Sequence, residues 1–138
     1  MTNFLFKLTS RRWIGRCIMI VALIHMAFTY ILAPGLFPEI IATGVLNSVT
    51  AENAAGVWFF LFGLPLFLIG LVVNWAEKDD RISLPCSLTW GLLGITFLGI
   101  ILMPASGFYL LIPALIGLSA KNYADEKSAC WARFKRPF

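Results

Sequence analysis

The sequence predicts an all-α integral membrane protein, a four-helix bundle with both termini cytoplasmic and a short interfacial helix between helices one and two. Three observations predict it. The first is composition: 59% of the 138 residues are hydrophobic, only 13% are charged, and the mean hydropathy is +0.84. An ordinary soluble domain carries about 25% charge, and a chain this short has too little interior to hide so much apolar surface. The second is that the uncharged runs have lengths that suit a bilayer. The third is that all eleven Lys and Arg fall in segments that four spans place on one side.

Helix one is expected over residues 13–33. No charge occurs from Cys17 to Ala33, Trp13 and Ile14 extend the run, and Pro34-Gly35 ends it. Roughly 20 apolar residues cross a bilayer core. Ser10-Arg11-Arg12 before this run resembles a twin-arginine export signal. The apolar stretch is longer than a signal peptide's and further spans follow, so it reads as a first helix with a basic flank. Residues 1–12 form a cytoplasmic, interfacial N-terminus carrying Phe4, Leu5, Phe6 and Leu8 beside Lys7.

Helix two is expected over 54–75. Thr50 stands where a cap belongs, and Glu52 lies near the positive end of the helix dipole. Asn74, Trp75 and Glu77 mark the exit toward headgroups. The stretch 82–120 has no charge and is too long for one span. Pro104, Ser106 and Gly107 break it, giving helix three over 84–103, with Pro85 in its first turn, and helix four over 105–120. Residues 121–138 form a basic cytoplasmic tail.

Orientation follows from the cations. Lys7, Arg11 and Arg12 precede helix one and Arg16 lies in its first turn, Lys78 and Arg81 lie between helices two and three, and the remaining five lie in the tail. The segment 34–53 and the Pro104 turn contain none. Basic segments stay cytoplasmic, so the location is a bacterial inner membrane, multi-pass. The 34–53 segment is too apolar for a solvated loop. Pro38-Glu39 followed by Ile40-Ile41-Ala42 reads as a short helix on the outer face, ended by Gly44.

Packing is expected to use small residues, because lipid removes the hydrophobic drive between spans. Gly56, Gly63 and Gly70 repeat at seven-residue intervals on one face of helix two. Ser87, Gly91 and Gly94 form a similar seam on helix three, and Ala114 and Gly117 one on helix four. Pro65 and Pro113 are expected to kink helices two and four.

The sequence offers little chemistry. No nucleophile elbow, phosphate loop or zinc-helix signature occurs. Cys17, Cys86 and Cys130 have no metal spacing, and their expected cytoplasmic side keeps thiols reduced. No metal site and no cofactor are expected. No basic stripe with interleaved aromatics occurs, so nucleic acid is not an expected partner. Apart from Arg16 in the first turn of helix one, no Asp, Glu, Lys or Arg falls inside an expected span. That leaves His25, the one histidine, near mid-depth in helix one. An ionisable group there is costly and marks a candidate site.

Depth along the helices groups His25 with Thr29, Tyr30, Trp58 and Tyr109, and with Glu52 and Ser106 at the mouth. The expectation is an outer-facing intramembrane pocket for a lipophilic small molecule or lipid. Two alternatives stand beside it: a membrane enzyme with His25 as acid or base, and an accessory or assembly subunit of a membrane complex. Expected partners are membrane lipid, a lipophilic small molecule, and a second copy or another membrane protein.

Several short motifs also carry a resemblance. They are Arg12-Trp13-Ile14-Gly15, Gly44-Val45-Leu46-Asn47, Trp58-Phe59-Phe60-Leu61-Phe62-Gly63, Leu84-Pro85, Trp90-Gly91 and the turn Leu102-Met103-Pro104-Ala105-Ser106-Gly107-Phe108. In these the chain resembles an uncharacterised family of small bacterial four-helix inner-membrane proteins, a domain of unknown function. The Met-Pro-x-Ser-Gly-Phe turn is the most specific part. The resemblance implies a fold and a location, with no activity attached.

Overall fold

The computed structural model describes residues 13–46, 48–79, 82–103 and 107–134, with side chains as far as Asp125. Among these residues the chain is all-helical, with five α-helices, one 3-10 helix and no strand. In order they are α1 (Ile14–Leu32), α2 (Leu36–Thr43), α3 (Ala54–Ala76), α4 (Cys86–Leu102), the 3-10 helix (Gly107–Leu111) and α5 (Ile112–Phe134). α1 and α3 are long and apolar enough to cross a membrane; α4 is apolar and shorter. The expected N-terminal segment 1–12 and the Pro104 turn, with Ser106, lie outside the described residues.

α1 and α3 run antiparallel along a seam of glycines. A Cβ added at Gly15 would meet the backbone of Asn74, and one at Gly63 would meet Met26. One at Gly70 would stand 2.9 Å from the Met19 nitrogen and 3.1 Å from the Gly15 carbonyl, and one at Gly56 would stand 3.0 Å from the Ala33 methyl. Each step forward along α1 is matched by an equal step back along α3, so the seam holds one register throughout. The expected Gly56/Gly63/Gly70 face is therefore occupied by α1, and Gly15 completes it from the other side. Ile18, Ala22, Leu66 and Val73 bury beside it.

The lower end of the seam is closed by a carboxylate. The first N–H groups of a helix have no partner within it, and Trp13, the residue before α1, gives no side-chain cap. Glu77, just past the end of α3, accepts instead: Ile14 N–H donates to Oε1 at 3.2 Å and Gly15 N–H to Oε2 at 2.9 Å. Glu77 is buried, 7% exposed. A negative group at a helix N-terminus also answers the dipole. The sequence reading had this residue marking only an exit into headgroups.

The connection from α1 to α3 is built as expected and capped slightly differently. Gly35 (φ 92°) and Gly44 (φ 89°) bound α2 in left-handed conformations that other residues rarely adopt. Pro38 falls in the first turn of α2, where its missing N–H costs nothing. Before α3, Asn53 occupies the N-cap position without a side-chain bond to the helix, and it closes the preceding turn instead: Asn53 N–H donates to Thr50 Oγ1, and Thr50 N–H to Asn53 Oδ1. Asn53 Nδ2 also donates to the Ser48 carbonyl.

The second half departs further from expectation. The expected helix four over 105–120 is a 3-10 helix followed by α5, and α5 continues through residue 121 to Phe134. Pro113 is the second residue of α5, in its tolerated first turn, so it does not interrupt the helix as expected. Pro65 does lie inside α3. α4 is joined to α5 by Asn122 Nδ2 donating to Thr89 Oγ1 at 2.7 Å. The Ser87/Gly91/Gly94 seam is not used within the described chain: a Cβ at Gly91 or Gly94 would meet nothing within 4 Å. Gly99 instead receives the Phe108 ring, and Gly117 packs against Ile14 and Trp13.

Two measurements test the α1–α3 contact. Gly15→Ala drives a methyl into backbone that cannot move aside, whereas Gly63→Ala meets a flexible methionine end. Gly15→Ala is expected to cost about 1–3 kcal/mol of stability in mixed micelles and Gly63→Ala distinctly less; equal losses would contradict the backbone contact. Glu77→Ala is expected to lower stability by about 2–3 kcal/mol through two orphaned N–H groups, with Glu77→Gln intermediate. An unchanged unfolding midpoint in Glu77→Ala would mean that water caps α1 equally well.

Candidate functional site

The seam sets the second half of α1 against the first half of α3, and this sets the surroundings of His25. Its Nε2 lies 2.9 Å from the Phe59 carbonyl oxygen. A carbonyl only accepts, so Nε2 is the protonated nitrogen of this contact. The imidazole stacks on the Phe59 ring at 3.9 Å between centroids and 24° between planes, and meets Phe62 edge-on at 5.9 Å. Phe62 in turn meets Phe108 at 6.4 Å. A row of rings thus joins α1, α3 and the 3-10 helix, and Phe108 ends it against Gly99 of α4.

Beside this row lies a cavity of about 240 Å³ lined by His25 with Val21, Ile24, Phe28, Phe59, Gly107 and Leu110. Among the described residues His25 is its one polar side chain. A 150 Å³ apolar cavity holds a benzene ring, so this one accepts a substituted ring or a short branched chain. A shallower hollow of about 420 Å³ shares Val21, Ile24 and Leu110 with it and runs back along α1 past Ile20 and Cys17 to Arg16 and Trp13. His25 to Cys17 is roughly 12 Å along a helix axis. The two hollows together describe a compact end at His25 and an apolar track leading from it.

Of the described side chains grouped with His25, none lines this cavity. Thr29 is fully buried one turn further along α1, and its hydroxyl has no partner among the described residues. Tyr30 is exposed and packs on Phe37 at 4.9 Å; Phe37 bridges to Phe60 at 5.1 Å. Trp58 and Tyr109 are exposed on the outside, and Glu52 is exposed in the turn before α3. Ser106 lies outside the described residues. The walls are phenyl and aliphatic, supplied by Phe28, Phe59 and Leu110, which the sequence reading did not select.

A separate groove of about 560 Å³ runs between α4 and α5, lined by aliphatic residues with Thr96, Ser119 and Tyr123. The Thr96 hydroxyl is buried and has no partner among the described residues. No group of three or more His, Cys, Asp or Glu side chains comes together among the described residues. Cys17 and Cys86 are free thiols.

No curated protein and no solved structure matches the chain significantly. The family of unknown function DUF6463 matches residues 9–125, which spans every described helix up to the polar part of α5, and the chain belongs to that family.

Proposed function

We propose that this protein is a four-span integral membrane protein that holds the head of a lipophilic molecule in the cavity at His25. The observation that carries the reading is that one histidine, bonded through a single nitrogen, is the sole polar side chain that the described residues give an apolar cavity. Binding sites for small molecules have this composition, a hydrophobic wall with few placed polar groups.

Several features support the membrane setting. Ile20, Leu23, Leu68, Val72, Phe97, Leu98 and Ile116 are each more than half exposed along the helices. Burying such side chains is worth about 1.5–3 kcal/mol each, which lipid supplies and water does not. The eleven cations segregate to one side under four spans, with both termini cytoplasmic in an inner membrane. The expected fourth span is short by residue count. Its 3-10 portion rises about 2.0 Å per residue against 1.5 Å for an α-helix, which lengthens it. On this topology the cavity lies in the outer half: His25 is nearer the Leu32 end of α1, Phe59 is in the second turn of α3, and Gly107 follows the outer turn.

Binding fits the cavity better than acid–base catalysis. Acid–base catalysis also needs the substrate held in one orientation, and among the described residues the lining supplies no polar side chain beside His25 to hold it. An accessory subunit would be marked by a Gly56/Gly63/Gly70 groove left facing lipid, and α1 fills that groove.

Two experiments test the proposal. In a background with Cys17, Cys86 and Cys130 replaced by serine, a membrane-impermeant maleimide is expected to label Thr43→Cys in intact cells and Ser83→Cys only after lysis. Labelling of both in intact cells would refute the topology. For the cavity, heptylbenzene is expected to raise the unfolding temperature of the wild-type protein and to lose that effect in Leu110→Trp, whose indole fills the space. Equal stabilisation of both would place the binding elsewhere.

A further inference from the structure

His25 is held by a contact that decides what it can offer a ligand. Its Nε2 donates to the Phe59 carbonyl at 2.9 Å, and the ring is clamped in that orientation by the face-to-face stack on Phe59 and the edge contact with Phe62. A neutral imidazole carries one N–H. Spending it on Phe59 leaves Nδ1 as a lone pair, an acceptor with no donor among the described residues. The cavity wall holds no carboxylate to partner an imidazolium, and an unpaired charge is the costly form in such surroundings. The ring is further fixed against flipping, because a flip would break the Phe59 bond and leave that part of the ring without its partner.

We infer that the ligand of the His25 cavity presents a hydrogen-bond donor, so that it is a lipophilic alcohol or phenol and not a ketone, ether or ester. The inference rests on the proposal that this cavity binds a lipophilic head. The size of the site agrees: about 240 Å³ at His25 takes a ring-sized group bearing the hydroxyl. The hollow that shares Val21, Ile24 and Leu110 takes an apolar body leading back toward Cys17. A donor that reaches Nδ1 gains a bond that the cavity otherwise lacks. An acceptor placed there sets two lone pairs against each other and has given up its water as well.

The test compares three molecules of similar size on the purified full chain in nanodiscs: para-hexylphenol, its methyl ether para-hexylanisole, and heptylbenzene. The phenol is expected to bind about tenfold tighter than either of the others, the effect of one net hydrogen bond. In His25→Phe the three are expected to bind alike, with heptylbenzene near its wild-type affinity. His25 is the only histidine, so 15N-histidine labelling gives a single pair of resonances. Nε2 is expected to be protonated and Nδ1 not, with the Nδ1 signal moving on addition of phenol and staying still with heptylbenzene. Equal affinities in the wild type, a preference for the ether, or a ring protonated on both nitrogens would overturn the donor assignment while leaving the cavity as a binding site. Failure of all three to bind would overturn the cavity reading itself, and the donor assignment with it.

Discussion

The close approach of α1 and α3 is the constraint on which the rest of the structure depends. Where two helices present apolar surfaces to apolar surroundings, no hydrophobic drive selects one partner face over another. Contact area and hydrogen bonds must do so. Gly15, Gly56, Gly63 and Gly70 let the two backbones approach, and the approach makes two polar contacts possible. At one end Glu77 reaches the first N–H groups of α1. Further along, His25 reaches the Phe59 carbonyl. Neither contact would form at the separation that larger residues along the seam would impose. The seam therefore fixes rotation and height together, and with them the orientation of the only histidine.

α4 and α5 are attached to this pair more lightly. Gly117 against Ile14 and Trp13, and the Phe108 ring against Phe62, fasten them to it, while Phe108 on Gly99 and the Asn122–Thr89 bond join the second half to itself. The 3-10 helix also supplies Gly107 and Leu110 to the cavity. The cavity is thus a joint between a tightly packed helix pair and a more loosely held second half. A site placed there can admit a ligand with movement of the second half alone, since the seam that orients His25 is not disturbed.

Much of the fold was legible in the sequence, because apolar runs and breakers mark helix extents directly. The expected 13–33, 54–75 and 84–103 differ from α1, α3 and α4 by a residue or two, and the spacing of Gly56, Gly63 and Gly70 identified the packed face. What hydropathy cannot show is where a helix continues beyond its apolar part. Ala120, Lys121, Ala124, Glu126 and Lys127 are good helix formers, so α5 runs on past the point where the chain turns polar, and Asn122 gains a helical position facing Thr89. The site was less legible, for a geometric reason. Depth follows from counting residues, but direction around the helix changes by about 100° per residue. Trp58 and Phe59 share a depth, yet only Phe59 faces His25. Tyr30 shares the outer half with His25 and faces Phe37. Glu77 was overlooked because a carboxylate after an apolar run has an ordinary explanation as an exit into headgroups. Its role needs the register of two helices, which Gly15 opposite Asn74 discloses once the antiparallel pairing is known.

Glu77 and His25 show what that register does to a polar group in an apolar protein. Glu77 directs both carboxylate oxygens at N–H donors, so nothing remains for it to recognise and its contribution is to the fold. His25 spends one nitrogen on the backbone and keeps the other. A partly satisfied group is a poor stabiliser, because a fully apolar wall would pack as well without the desolvation it carries. It is a good discriminator for the same reason. A site whose polar atom is left bare by the wrong molecule rejects that molecule far more strongly than an apolar wall can. The stack on Phe59 and the bond to its carbonyl prevent the ring from turning to suit either kind of ligand. In the proposed site, the rigidity of the α1–α3 seam, which needs no ligand to explain it, would be the source of selectivity at the cavity beside it.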